Sequence, residues 1–322
     1  MGINAESSKP DMVRVYPSPS PTKIGSPRNP NDHALAFRSK TVLITGGATG
    51  IGKFISRSFV IAHAALVIIV ARRAEVLKEA ATELDQHAKE IGSPTKIITY
   101  TCDVADVNQI STVWTGLTSD GISVDVLVSN AAKFTEPKTM FELGTEEIWD
   151  QFNVNVKGPF VFAEQFFKQP GESQKFLINV STASIHVHQQ PIVIQRPGYT
   201  LTKASGTLAF QLLADTTPAG KVQIISFHPG FIWAPGWEAG GITKDMFPFD
   251  DAELPGAFAV WASTKEAEFL HGRYVWAPWD VTELVNGPVR KRINEDPDFL
   301  RVGVIGLKGS HTDILPTWRP AP

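Results

Sequence analysis

Thr41-Val-Leu-Ile-Thr-Gly-Gly-Ala-Thr-Gly-Ile-Gly52 runs from a short apolar segment into a glycine-rich turn, and a helical run over residues 53–62 follows. Strand, glycine turn and helix in that order is the context in which such a turn holds a phosphate. Glycines permit the bend and let phosphate oxygens approach the backbone. The helix N-terminus adds N–H groups and a partial positive charge. The spacing is Thr-Gly-x-x-x-Gly-x-Gly, not the commoner Gly-x-Gly-x-x-Gly. A bound nucleotide is expected here.

Further along, residues 66–70 form a second strand, 96–101 a third, 124–129 a fourth, 175–181 a fifth and 222–227 a sixth. Helical patterns at 74–91, 106–117, 145–168 and 198–214 separate them. Strands alternating with helices call for a parallel sheet covered on both faces. Such sheets bind ligands beyond the C-terminal strand ends. The glycine turn, Asp103 and Asn130 all fall there. Where an NAD-binding acid would end the second strand, the chain has Ala71, Arg72 and Arg73. A guanidinium fork matches a 2′-phosphate, so the expected cofactor is NADP(H).

Tyr199-Thr-Leu-Thr-Lys203 puts a phenol and an ammonium one turn apart on one helix face. A free phenol has a pKa of about 10. A neighbouring ammonium favours the phenolate and is expected to bring it toward working pH as a general acid or base. Thr182, Ser184, His186 and His188 line the loop that leads to Tyr199, with Gln189, Gln190 and Gln195 as a plausible polar wall. No acid or cysteine joins the two histidines nearby, so no metal is expected.

Taken together, Thr45-Gly-x-x-x-Gly-x-Gly52, Asp103, Asn130-Ala-Ala132, Asn155, Tyr199-x-x-x-Lys203 and Pro229-Gly230 resemble the short-chain dehydrogenase/reductase family. The matches span roughly residues 40 to 235. The resemblance implies one α/β domain with a doubly wound, Rossmann-type parallel sheet of seven strands, the last near residues 273–276. It implies hydride exchange with a nicotinamide. Catalytic roles then fall to Tyr199, Lys203, Thr182 and Asn155. Tyr199 carries the proton, Lys203 lowers its pKa and holds the ribose, and Asn155 helps hold a relay water. The cofactor is expected on Gly46, Thr49, Gly50, Ile51, Gly52, Arg72, Asp103, Val104, Asn130, Tyr199, Lys203, Pro229, Gly230 and Ile232.

Three positions depart from the family pattern. Its serine after the fifth strand is Thr182 here. Thr182 lies further before Tyr199 than usual, which makes Ser184 a rival and Ser181 a weaker one. A strand register cannot absorb insertions and a loop can, which favours Thr182. The threonine that usually follows Pro-Gly is Ala234, and the family's Asn-Ala-Gly reads Asn-Ala-Ala132.

The 322 residues, 43% hydrophobic and with a formal net charge of −3, give no case for nucleic acid or an anionic membrane. The one cysteine, Cys102, excludes an internal disulfide and suits a reducing compartment, so a cytoplasmic setting is expected. Residues 1–38, rich in Pro and Ser, are expected as an extended or disordered arm. Residues 39–295 are expected as the catalytic domain, with an aromatic, Gly-hinged lid near 233–256, and 296–322 as a tail. The resemblance also implies a homodimer or homotetramer through the long helices, with Phe160, Phe162, Phe166 and Phe167 partly interfacial. The leading function is an NADP(H)-dependent oxidoreductase acting on a carbonyl or alcohol of a small-molecule substrate. Alternatives are an isomerase, dehydratase or cyclase on the same fold, or a nucleotide-binding protein without turnover.

Overall fold

A computed structural model describes residues 29–233 and 243–303 of the chain. Seven strands are present: β1 (Thr41–Thr45), β2 (Leu66–Ala71), β3 (Lys96–Thr101), β4 (Val126–Ser129), β5 (Lys175–Val180), β6 (Val222–His228) and β7 (Tyr274–Trp276). They pair in parallel throughout, in the order β3-β2-β1-β4-β5-β6-β7. The order reverses between β1 and β4, and a crevice opens there at the C-terminal edge.

The main helices are α1 (Gly50–Ile61), α2 (Ala74–Glu90), α3 (Val107–Ser119), α4 (Met140–Phe152), α5 (Gly158–Lys168), α6 (Pro197–Asp215), α7 (Leu254–Ala262), α8 (Val281–Asn286) and α9 (Pro288–Glu295). Strands alternate their side chains between two cores. Val42, Ile44, Val67 and Ile69 join residues of α1, α2 and α7 on one face. Leu43, Ile68 and Val70 join residues of α3, α5 and α6 on the other. In α3, Ile110, Val113, Trp114 and Leu117 present the apolar stripe that this requires. Both faces of the sheet are covered, so its strands read as unbroken apolar runs. The fold is the doubly wound α/β sheet of seven strands.

The helix expected over residues 145–168 is two helices. α4 begins earlier, at a capping box in which the Thr139 side chain accepts the Glu142 N–H and the Glu142 carboxylate accepts the Thr139 N–H. A π-turn over Asn153–Lys157 joins α4 to α5. The widened turn lets Gly158 pass the Val104 carbonyl, where an added Cβ would come within 2.1 Å.

Residues 1–28 of the expected arm and 304–322 of the expected tail lie outside the described residues, as do Ala234 and Trp237 of the expected lid. The chain is already folded by Pro30, with a 3-10 turn over Pro30–His33 and one helical turn over Ala34–Phe37. Phe37 is buried against the edge of Phe59. At the other end Phe299 and Leu300 pack on the same core. Among the described residues no helix is long and apolar enough to cross a membrane.

Candidate active site

The turn after β1 is tied to the turn after β4. Asn130 Nδ2 donates to the carbonyls of Thr45 and Gly46, at 2.9 and 3.2 Å, and the Thr45 hydroxyl accepts the Asn130 and Ala131 N–H groups. Gly52 closes the turn from beneath, since a Cβ there would lie 2.0 Å from the Gly46 carbonyl oxygen. Gly50, at φ +51°, opens α1 and faces free space. The first turn of a helix has N–H groups without intrahelical partners. Gly46, Thr49, Gly50, Ile51 and Gly52 thus build a cradle that fits the phosphates of a dinucleotide.

Arg72 and Arg73 are exposed just past β2 and join no ion pair among the described residues. Asp103, past β3, accepts the Ala105 N–H at 2.9 Å, and Val104 is buried beside it. On the far side of the crevice, Pro229 and Gly230 follow β6. Asp250 accepts the Phe231 N–H at 2.7 Å, and the backbone of Ile232 bridges to Asp250. The chain reaches every side of the crevice that a nicotinamide dinucleotide would line.

Between these halves stand Tyr199 and Lys203, on the first turns of α6. The Thr182 side chain stands near enough to the Tyr199 phenol to ease its ionisation. Thr182 lies just past β5 in extended backbone, and its hydroxyl accepts the Ser184 N–H at 3.3 Å. Ser181 is turned away and shares a 2.6 Å hydrogen bond with Thr207. The Ser184 hydroxyl is buried without a partner. Lys203 is buried, and its Nζ donates to the Val180 carbonyl at 2.5 Å.

Asn155 lies in the π-turn, buried, with its side chain fully engaged. Its Oδ1 accepts the Lys133 N–H at 2.6 Å, and its Nδ2 donates to the Lys133 carbonyl and to the Thr202 hydroxyl, each at 2.9 Å. Thr202 in turn donates to the Tyr199 carbonyl at 2.9 Å. The amide therefore fastens the loop after β4 to the start of α6 and has no donor left for a water.

Burial pushes the Tyr199 phenol up to about 12, against a smaller opposing effect of the Thr182 side chain. Burial pulls the Lys203 ammonium down to about 8. Desolvation penalises the charged form of both groups. The resting site thus holds a protonated phenol beside a weakly held ammonium proton.

The model of the short chain dehydrogenase family matches residues 40–239. The chain is 33% identical over 304 residues to the short chain dehydrogenase/reductase nsrO of Aspergillus novofumigatus, covering 92% of this chain and 98% of that one. It is also 33% identical over 307 residues to a short chain dehydrogenase/reductase of Claviceps purpurea, covering 94% and 97%. The chain belongs to the short-chain dehydrogenase/reductase family. Members of this family use nicotinamide cofactors on small-molecule substrates, and this one is a family oxidoreductase. Its fold is shared with an L-sorbose reductase of Gluconobacter frateurii, complexed with NADPH and L-sorbose (TM-score 0.65, 22% identity, 74% of this chain and 95% of that one). It is shared also with a 3-oxoacyl-[acyl-carrier protein] reductase with bound NAD from Brucella melitensis (TM-score 0.63, 21% identity, 86% and 96%).

Around the pair of this dehydrogenase/reductase lie residues that sequence reasoning left out. Phe134 meets the Tyr199 ring edge-on at 5.1 Å. His228 Nδ1 accepts the Ala183 N–H at 3.2 Å and so pins the loop that carries Thr182. Burial, with His186 adding to it, holds the His228 imidazole neutral, its pKa down to about 3. His186 Nε2 accepts from the Trp276 indole at 3.2 Å. His188, Gln189, Gln190 and Gln195 are exposed and form no buried polar wall. Only the placing of His228 directly before Pro229-Gly230 hinted at its part. Among the described residues no three or more His, Cys, Asp or Glu side chains are grouped to hold a metal ion.

Proposed function

We propose that this chain is an NADP(H)-dependent oxidoreductase that interconverts a carbonyl and an alcohol on a small-molecule metabolite. The observation that carries the reading is the placing of Tyr199 and Lys203 one turn apart on α6, with the Lys203 Nζ on the Val180 carbonyl at the C-terminal end of β5 and Thr182 just beyond it. When bound, the nicotinamide supplies the hydride. Charge that builds on the carbonyl oxygen is met by donors already in place. Tyr199 gives its phenolic proton, and Thr182 donates a second hydrogen bond to the same oxygen. Lys203 supplies a cation beside the forming phenolate and holds the ribose. Asn155 acts through Thr202 by fixing the start of α6.

Under this reading Gly46, Thr49, Gly50, Ile51 and Gly52 hold the pyrophosphate, Arg72 the 2′-phosphate, and Asp103 and Val104 the adenine. Asn130 steadies the turn, while Pro229, Gly230 and Ile232 back the carboxamide. The setting is cytoplasmic, in keeping with a single buried Cys102.

Assembly forms part of the proposal. Phe162 and Phe166 are core residues and leave the interface expected of them. Trp149, Phe160, Leu208 and Leu212 instead stand exposed on α4, α5 and α6. Two shallow apolar hollows meet at Phe160, one lined by Trp149, Phe152 and Val156, the other by Phe167 and Leu213. A second copy of the chain is the occupant we assign to this surface.

The testing experiment incubates the protein with NADPH and a carbonyl panel, following nicotinamide absorbance and identifying products by mass spectrometry. NADPH loss matched by alcohol is expected. A rearranged or dehydrated product with NADPH unchanged would assign the non-redox chemistry instead.

A further inference from the structure

Arg196 directly precedes α6, three residues before Tyr199. Its guanidinium carbon lies 4.7 Å over the face of Phe134. The same ring meets Tyr199 edge-on at 5.1 Å. The Phe134 ring therefore lies between the guanidinium and the Tyr199 ring, and it is 52% exposed.

Arg196 is unspent. No ion pair among the described residues includes it, and its Nε is buried without a hydrogen-bond partner. Buried donors of charged groups are normally matched, because an unmatched one costs its full desolvation. Burial already lowers the Arg196 pKa, with the Glu136 carboxylate opposing from further off. Lys133, the cation on the neighbouring loop, is committed to Glu147 and Asp150. The chain thus offers one planar fork beside Tyr199. A single fork suits a carboxylate bound through two parallel hydrogen bonds.

We propose that Arg196 is a specificity-determining residue that receives a substrate carboxylate, borne about one aromatic ring away from the carbonyl at Tyr199. The substrate class is an aromatic or similarly flat keto or formyl acid. This rests on the reading of Tyr199 as proton donor given above, and its test keeps the two apart.

The probes are 3- and 4-formylbenzoate and their methyl esters, used at pH 7 with NADPH and the full-length protein. In the native chain the acid-to-ester ratio of kcat/KM for the better isomer is expected to be about tenfold or more, expressed in KM. Arg196→Gln, which keeps the stem packed, is expected to bring that ratio close to one, and Arg196→Lys to restore part of it. A ratio unchanged in Arg196→Gln overturns the proposal. If no aldehyde is reduced, the redox reading is left to the carbonyl panel above, and binding of the same four probes is compared by calorimetry. Acid binding weakened about tenfold by Arg196→Gln supports the proposal. Equal acid binding by both proteins, or none by the native chain, overturns it.

Discussion

The Thr182 side chain stands near enough to the Tyr199 phenol to ease its ionisation, although seventeen positions separate the two in the chain. β5 delivers Thr182 in extended backbone, and the His228–Ala183 hydrogen bond holds the loop that begins there. Under the proposed chemistry both hydroxyls point at one oxygen. Thr182→Val keeps the shape and removes the donor, so turnover is expected to fall by about 10²-fold, with cofactor affinity unchanged. Ser184→Ala is expected to be nearly silent. Steady-state kinetics on the two variants decide, and the reverse pattern would transfer the role to Ser184.

Cofactor choice turns on the end of β2. Arg72 is exposed and unpaired among the described residues, and Ala71 supplies no carboxylate for a ribose hydroxyl. NADPH is expected to bind more tightly than NADH, and Arg72→Ala to erode the difference by about tenfold. Fluorescence titration of both cofactors measures this. Equal affinities in the native chain would contradict it.

The pH profile follows from Lys203. With its pKa down to about 8, the ammonium is present below that pH and lost above it. Tyr199, up to about 12, keeps its proton throughout this range. Carbonyl reduction is therefore expected to be flat below about pH 8 and to fall above it. Lys203→Arg, which does not titrate here, is expected to flatten the alkaline limb in whatever activity it retains. A native profile level to pH 10 would remove Lys203 from the mechanism.

Much of this architecture can be read from the chain, for definite reasons. β3 falls at residues 96–101 as its pattern indicates, and the other strands lie within two residues of theirs; the central β1, β2 and β4 are buried apolar runs bounded by turns. The break between α4 and α5 is less legible. Its cause is the close pass of Gly158 by Val104, two residues that nothing local connects. The same holds for the site. Motif spacing indicates Tyr199, Lys203 and Asn155. The contacts of Phe134, Arg196 and His228 arise where three separate loops converge. Burial, the largest influence on the pKa values of Tyr199 and Lys203, is a property of the packed whole.

For assembly, the exposed Trp149, Phe160 and Leu212 are expected to be covered by a second copy. Light scattering at micromolar concentration is expected to give a dimer or tetramer. The double change Trp149→Glu and Phe160→Glu is expected to shift it to monomer without altering the helical content. A native monomer would refute this.

The most direct test of the account is Tyr199→Phe, compared with the native chain on one confirmed carbonyl substrate. The change removes the phenolic hydroxyl and little volume. Alcohol formation, measured by mass spectrometry alongside NADPH absorbance, is expected to fall by about 10²–10⁴-fold, the usual share of a general acid. NADPH binding, titrated by fluorescence, is expected to stay unchanged. Alcohol formed by Tyr199→Phe at the native rate would contradict the account.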